Sequence, residues 1–499
     1  MANYDLVVRG GLVVTAGGRM RCDLGVRDGR IVALEDGLGK SENEIDARGK
    51  LVLPGGIDSH CHIEEPWTGG ARNADSFASA TTAAAFGGTT TVIPFIVQQK
   101  GQRLNQEARR YHRIAQESLI DYTFHLIVSD PSPTVLEELP SLIAEGHRSI
   151  KVFLTYDPVF LNDLQYLDVL AVARECGALV TVHAENHGAI RWMTERLLSA
   201  GLTAPMHHAW AKPIVVEREA TYRAIALAEM LDVPLQIFHV SGGEVAEEIA
   251  RAQARGVKVF AETCPQYLLF TADDLDRPDF EGAKLIFSPA PRTHSDQDAL
   301  WDALARGTLD VVSSDHAPFR FDDPEGKMIN GNNASFDQVP NGVPGIETRM
   351  PVLYSEGVSK GRIDLETFVA LTCTNPAKLF GLYPRKGALQ IGADADIVIW
   401  DPNRRVCLQN AILHHNVDYT PYEGIEITGW PETTIARGEI VCDRGVLKAE
   451  PGRGQFLARE PYDYIRPSGR LPTPFDPTHG KATSTQRFTR RAGRNGRAT

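Results

Sequence analysis

Between residues 55 and 385 the chain repeats one pattern: a short apolar run, a segment with helical periodicity, then another apolar run. The runs are TTTVIPF, DYTFHLIV, SIKVFLT, ALVTVHAE, PLQIFHV, KVFAETCP and DVVSSDH. Between them lie EARRYHRIAQESL, DLQYLDVLAVARECG, EREATYRAIALAEML and GEVAEEIARAQARG. Strand and helix alternating at this spacing predict a parallel sheet. The number of repeats favours a closed (β/α)8 TIM-type barrel over an open doubly wound sheet, and no Gly-rich dinucleotide fingerprint follows the first strand.

The two ends of the chain have another texture. YDLVVRGGLVVTAGG and CDLGVRDGRIVAL near the start, and GADADIVIWDP and ETTIARGEIVCDRGVL late, alternate apolar and polar residues between Gly and Asp-Gly turns. This predicts short antiparallel strands and one small β domain built by both termini. The expected division is 1–54 and 386–465 for that domain, 55–385 for the barrel, and a tail over 466–499. The last stretch, GKATSTQRFTRRAGRNGRAT, has six Lys or Arg and no acidic residue. It reads as a basic segment disordered at its end, with partner binding as the other reading.

Hydrophobic residues make up 42% of the 499 and charged residues 23%, an ordinary globular balance with enough apolar surface for a large core. The net charge of -12 argues against a nucleic-acid partner. The seven cysteines are odd in number, widely spaced and form no CxxC pair. That usage fits a reduced compartment, so a cytoplasmic location is expected. MANYDLVVRGGLVV lacks the basic start and apolar core of a signal peptide. No uninterrupted apolar run reaches the roughly 18 residues of a membrane span, so no membrane association is expected.

Catalytic residues of such barrels sit where strands end. The stretch LPGGIDSHCHIEEPWTGG places His60 and His62 two apart, which on a strand points both the same way. Alone, the pair reads equally well as metal ligands or as loop histidines. The same texture recurs, however: His183 ends ALVTVHAE, His239 ends PLQIFHV and Asp315 ends DVVSSDH. Four histidines and an aspartate at successive strand ends predict a metal centre, with zinc, or another first-row metal such as manganese or iron, as its occupant. Five ligands exceed one tetrahedral zinc and point to two metals, roughly 3.5–4 Å apart. Lys151 lies inside the run SIKVF. A buried lysine is readily deprotonated and its neutral amine can take up carbon dioxide as a carbamate. Pairing with an acidic residue is the other reading, and the residues leave both open.

LPGGIDSHCH, SIKVFLTY, HAEN, FHVS, ETCPQYL, SSDHAPF and PNGVPGIETR follow one another in the order found in cyclic amidohydrolases. Over roughly residues 1–460 the chain resembles the D-hydantoinase and dihydropyrimidinase group. The resemblance implies a barrel with a β-sandwich from both termini, and two zinc ions. His60, His62 and Asp315 would hold one ion, His183 and His239 the other, with Lys151 as the carbon dioxide–derived carbamate bridging them. It implies that Tyr156 donates a hydrogen bond to the carbonyl under attack, and that Ser288 and Asn341 hold the ring through main-chain groups. Asp315 would take a proton from the attacking water and return it to the leaving nitrogen. The reaction implied is opening of a 5-substituted hydantoin or a dihydropyrimidine to an N-carbamoyl amino acid. The partner is thus a small cyclic amide or ureide. A homo-oligomer, tetramer or dimer, follows from the same resemblance.

Two departures stand out. Glu65 stands where the group carries a bulky apolar residue, and Trp67 where it carries Phe. That segment, with Phe153 and Phe160, is expected to line the pocket for the ring substituent. Glu65 would then point to solvent, select a polar or cationic substituent, or pair with Arg72. Pro94 replaces an acidic residue, with no evident consequence. Among related activities allantoinase and cyclic-imide hydrolysis remain alternatives. Dihydroorotase fits less well, because HIEEP has glutamate in place of a substrate-binding arginine. Non-catalytic assembly proteins of this fold lack the full ligand set, which is complete here.

Overall fold

The computed structural model describes residues 4–482; the expected disordered end, 483–499, lies outside the described residues. Five strands open the chain: β1 (Tyr4–Thr15), β2 (Gly18–Arg27), β3 (Arg30–Glu35), β4 (Ser41–Asp46) and β5 (Leu51–Pro54). Ten short strands follow: β6 (Gly56–Asp58), β7 (Thr89–Val92), β8 (Phe95–Val97), β9 (Asp121–Tyr122), β10 (His125–Ile127), β11 (Ser149–Phe153), β12 (Leu179–His183), β13 (Leu235–Ile237), β14 (Val259–Thr263) and β15 (Val311–Val312). Then come β16 (Ile397–Cys407), β17 (Glu426–Ala436), β18 (Glu439–Asp443) and β19 (Val446–Leu447). A ribbon of β20 (Phe475–Asp476) and β21 (Lys481–Ala482) ends the described chain.

Both ends of the chain build one sheet, as expected, in the order β19-β18-β17-β16-β5-β1-β2-β3 with β4 against β1. Its seam is β5 on β16, antiparallel, with Leu53 opposite Val398. The period-two pattern covers both faces: Leu6 and Val8 pack with Leu24, Val52, Ile397 and Ile399, while Val7 packs opposite with Ala33 and Leu38.

The middle strands form the (β/α)8 TIM-type barrel. β15-β14-β13-β12-β11-β10-β8 and β6-β7-β9 run parallel. The second barrel strand is β7 continued by β8, and the third is β9 continued by β10. Pro94 accounts for the first break. It has no N–H to give the ladder, so the strand kinks there; Ile93 N–H reaches the Asp58 carbonyl (2.8 Å) and the Pro94 carbonyl accepts from His125 N–H (2.9 Å). The barrel closes where Ser314 N–H donates to Asp58 Oδ1 (3.0 Å) and Cys61 bridges to His316 in parallel. The helices begin and end by local chemistry. Over Asp163–Cys176, Asn162 and Gln165 form a reciprocal capping box, and Gly177 closes the helix at φ 68°. Thr293, Asp296 and Gly307 repeat this for His294–Arg306.

The stretch after β19 leaves the β domain, where the sequence placed it, and covers the floor of the barrel. Tyr122 N–H donates to the Gln455 carbonyl and Leu457 N–H to the Tyr122 carbonyl. Arg459 is fully buried there, donating to the Phe124 carbonyl (2.6 Å), Ser149 Oγ (2.9 Å) and the Gly146 carbonyl (3.0 Å). Beyond it, Asp232 accepts the amides of Ser468, Gly469 and Arg470, and Arg174 pairs with Asp476 at 2.6 Å.

Buried charge fastens the two domains. Lys386 Nζ lies 2.7 Å from Asp121 of β9, 2.7 Å from Asp396 and 3.1 Å from Asp394, the last two on the approach to β16. Removing one partner from such a group leaves carboxylates stranded. Lys386→Met is therefore expected to cost about 3–5 kcal/mol, and Lys386→Arg much less. Chemical denaturation curves of the two variants check this.

Candidate metal centre

The sheet delivers the expected groups to one end of the barrel. His60 and His62 follow β6, Lys151 lies in β11, His183 ends β12, and His239 and Asp315 follow β13 and β15. All six are buried. Asp315 Oδ1 lies 3.1 Å from His60 Nε2 and 3.3 Å from His62 Nε2. Ligand atoms of these three residues fall within 4.8 Å of one another, close enough for a single cation. The His183 and His239 rings are 4.3 Å apart, and His239 is 5.5 Å from His60. Tyr156, His239 and Asp315 all have left-handed backbones, with φ of 69°, 40° and 48°. Non-glycine residues hold that conformation at a cost of about 1–3 kcal/mol each, and such strain gathers at functional sites.

Three of the four imidazoles have a carboxylate behind them. His60 Nδ1 meets Glu262 Oε1, His62 Nδ1 meets Glu65 Oε1 at 2.8 Å, and His183 Nε2 meets Glu185 Oε2 at 2.7 Å. His60 and His62 therefore present Nε2 to the centre, and His183 presents Nδ1. His239 Nδ1 is buried with no partner among the described residues. Burial opposes a proton on His62, yet Glu65 and Asp315 outweigh it and hold that imidazole up at about 9. Groups that attract a proton so strongly attract a metal cation in its place.

Lys151 Nζ also has no hydrogen-bond partner among the described residues. It is caged by aromatic rings, with the Phe238, Phe153 and Phe95 centroids at 4.0, 4.8 and 5.8 Å. Burial pushes its pKa down to about 7 against the pull of Glu262 and Asp315. After burial itself, the Lys151 charge is the largest cause holding His60 low, and it acts on His183 and His239 in the same direction. Orphaned nitrogen donors, a converging carboxylate and a lysine amine among them fit a bound divalent metal better than an empty core.

These residues form the floor of a cavity of about 620 Å³. Tyr156, Ser288 and Asn341 line one side of it. Ser288 Oγ bonds the Lys212 ammonium, donates to Glu185 Oε2 (3.3 Å) and meets the Tyr156 phenol. Asn341 Oδ1 is buried and unpartnered among the described residues. Lys327 ties the two supporting segments together, donating to the carbonyls of Ile286 (3.0 Å) and Pro340 (2.9 Å).

The substituent side differs in part from expectation. Trp67 and Phe153 line the cavity, as do Pro158 and Val159. Phe160 does not: its ring stacks on His187 at 4.5 Å, because the chain folds back so that Phe160 N–H reaches the Tyr156 carbonyl. Glu65 is turned inward, with its side chain 6% exposed, but its carboxylate is engaged by His62 and is not free for a cationic substituent. Arg72 pairs with Glu325 at the surface (3.5 Å), not with Glu65. Sequence reasoning assigned no role to Glu262, Glu185 or Lys212. The first two carried a signal, a carboxylate inside an apolar run and one just past a strand-end histidine. Lys212, at the end of the short helix His207–Ala211, carried none.

A parallel barrel with imidazoles, a carboxylate and a buried lysine at its strand ends defines a metal-dependent hydrolase site. The sequence model of the amidohydrolase family matches residues 51–441. The chain is 44% identical over 460 residues to a D-hydantoinase of Ralstonia pickettii, spanning 92% of this chain and 99% of that protein. A D-hydantoinase of Rhizobium radiobacter is 45% identical with the same coverage. Among solved structures, a D-hydantoinase superposes with a TM-score of 0.89 at 44% identity, covering 92% of this chain and all of the other. A dihydropyrimidinase from Brevibacillus agri NCHU1002 does so with a TM-score of 0.89 at 42% identity, covering 92% and 99%. The chain belongs to the amidohydrolase family.

His60→Ala removes one donor of the His60–His62–Asp315 set. Bound metal, measured by elemental analysis, is expected to fall by about one ion per chain while circular dichroism is unchanged.

Proposed function

We propose that the protein hydrolyses cyclic amides, opening 5-substituted hydantoins or dihydropyrimidines to N-carbamoyl amino acids. The observation that carries this reading is the convergence of His60 and His62 Nε2 on Asp315 Oδ1, on the floor of a cavity walled by Tyr156, Ser288 and Asn341. The similarity to D-hydantoinases and a dihydropyrimidinase supports the ring class.

His60, His62 and Asp315 would hold one divalent ion and His183 and His239 a second, with zinc the best match to imidazole and carboxylate donors. Bound there, the metals supply Lewis acidity, making water nucleophilic near neutral pH and polarising the ring carbonyl. Lys151 would join them as a carbamate. Its amine lone pair forms the N–C bond to carbon dioxide, one N–H proton leaves, and the product is an anion with two oxygens. The complete burial of the amine supports this, since desolvation disfavours the ammonium form.

Asp315 accepts a proton from the attacking water as its oxygen bonds to the ring carbonyl carbon. It then delivers that proton to the ring nitrogen as the C–N bond breaks. Tyr156 donates its hydroxyl to the carbonyl oxygen as charge gathers there. Burial holds the phenol well above its ordinary pKa, so the proton stays available for that bond. Ser288 and Asn341 fix the ring edge through main-chain groups, on segments clamped by Lys327. Trp67, Phe153 and Val159 give the substituent an apolar wall.

All seven cysteines are unpaired, in keeping with a reduced, cytoplasmic setting. No helix among the described residues is long and apolar enough to cross a membrane. A homo-oligomer, tetramer or dimer, is carried over from the resemblance.

The test is hydrolysis by zinc-loaded protein of dihydrouracil, 5-phenylhydantoin, a hydantoin with a cationic side chain, allantoin and succinimide. Aryl and alkyl hydantoins are expected to lead, because Glu65 is engaged by His62. Turnover confined to allantoin or succinimide would overturn the substrate class. Asp315→Asn is expected to lower kcat by about 100- to 10 000-fold, and Tyr156→Phe by about 100- to 1000-fold. Near-normal rates in folded, metal-loaded variants would remove these roles. Lys151→Ala is expected to lose metal and activity, with partial rescue by added short-chain carboxylates.

A further inference from the structure

Glu65 is a buried carboxylate without a cation of its own. Its Oε1 lies 2.8 Å from His62 Nδ1, and no lysine or arginine among the described residues pairs with it. The basic residue nearest in sequence, Arg72, is committed to Glu325. The backbone is built to hold Glu65 inward. Glu64 turns the chain with a left-handed φ of 51°, and the Glu65 amide donates to Asn73 Oδ1 at 2.9 Å. An inward carboxylate is costly unless positive charge balances it, and His62 is the basic group it bonds.

Accepting the Nδ1 proton of His62 fixes the tautomer. It leaves the Nε2 lone pair facing Asp315 Oδ1 and makes the imidazole more basic toward a cation. Glu262 does the same for His60. Both histidines of the His60–His62–Asp315 set are thus backed by carboxylates, whereas His239 Nδ1 has no partner among the described residues. We propose that Glu65 is a positioning residue of the metal centre, orienting His62 and tightening the cation held by His60, His62 and Asp315. This rests on the reading, given above, that those three residues hold a divalent metal.

Glutamine at this position keeps an oxygen acceptor for Nδ1–H but loses the charge; leucine loses both. Wild-type protein, Glu65→Gln and Glu65→Leu would be loaded with zinc and titrated with a competing chromophoric chelator. Affinity, release rate and zinc per chain would be read for each. One of the bound zinc ions is expected to weaken by about tenfold in Glu65→Gln and by up to about 100-fold in Glu65→Leu, with the other unchanged. That graded loss, confined to one ion, is not what a packing role produces. Circular dichroism of the metal-free proteins controls for folding, and Glu65→Gln carries the test if Glu65→Leu does not fold. Equal affinity and release rate in wild type and both variants would overturn the role of Glu65 and leave the metal centre standing. A wild-type protein that binds no zinc would overturn both.

Discussion

Buried negative charge at one end of the barrel is the constraint around which the site is organised. Glu65, Glu185, Glu262 and Asp315 converge on four imidazoles, and the ammonium groups set among them are Lys151 and Lys212. Lys212 is spoken for by Glu185 and Ser288. Lys151 makes no hydrogen bond among the described residues and is pushed towards neutrality by burial. Carboxylates cannot stay ionised in such a place without compensation, and burial drives Glu262 well above its ordinary pKa. A cation at the Nε2 faces of His60 and His62 reverses that balance. It lets the carboxylates behind the imidazoles ionise, and their charge in turn holds the cation.

The same economy explains the wall beside it. Tyr156, Ser288, Lys212 and Glu185 form one hydrogen-bonded chain that ends on His183. The phenol of Tyr156 and the imidazole of His183 are therefore supported by one network. Arg292 extends the chain outward, bonding the Lys212 carbonyl, Ser241 Oγ and Glu217. A site assembled from loops gains rigidity from such a network only when each member is satisfied. Lys151 Nζ, His239 Nδ1, Trp67 Nε1 and Asn341 Oδ1, all on residues lining the cavity, are buried without a hydrogen-bond partner among the described residues.

The meeting of four histidines and Asp315 at one rim was legible because strand geometry is. His60, His62, His183, His239 and Asp315 end apolar runs, and a barrel gathers strand ends at one rim. What strand geometry does not govern was lost. Glu65 lies three residues from His62, which on a strand would send it to the opposite face. The left-handed turn at Glu64 brings it back. Phe160 was placed in the pocket by its match to the family's apolar lining, but the left-handed turn at Tyr156 folds that segment back and carries it to His187. Pro94 became intelligible only with the ladder in view, as the break between two half-strands with different neighbours. The floor segment ending at Arg459 has the alternation of a sheet strand. Nothing local says that it caps the barrel, since its hydrogen bonds are to residues more than three hundred positions away.

Glu65 also changes what the loop at the mouth of the cavity is for. With an apolar residue at that position, the loop's inner face would serve only the ring substituent, and its order would depend on what fills the pocket. With glutamate, the loop is bonded from below to His62, through Asn73 to its own far end, and across by the Pro66–Arg72 bridge. Trp67 follows two residues later, packed edge-on against Phe319 at 4.9 Å. The aromatic face of Trp67 at the cavity is therefore carried on a segment anchored to His62. Linkage makes the consequence of the proposed cation site reciprocal: whatever a cation there contributes to fixing His62 it contributes to fixing the loop, and order in the loop favours the cation by the same free energy.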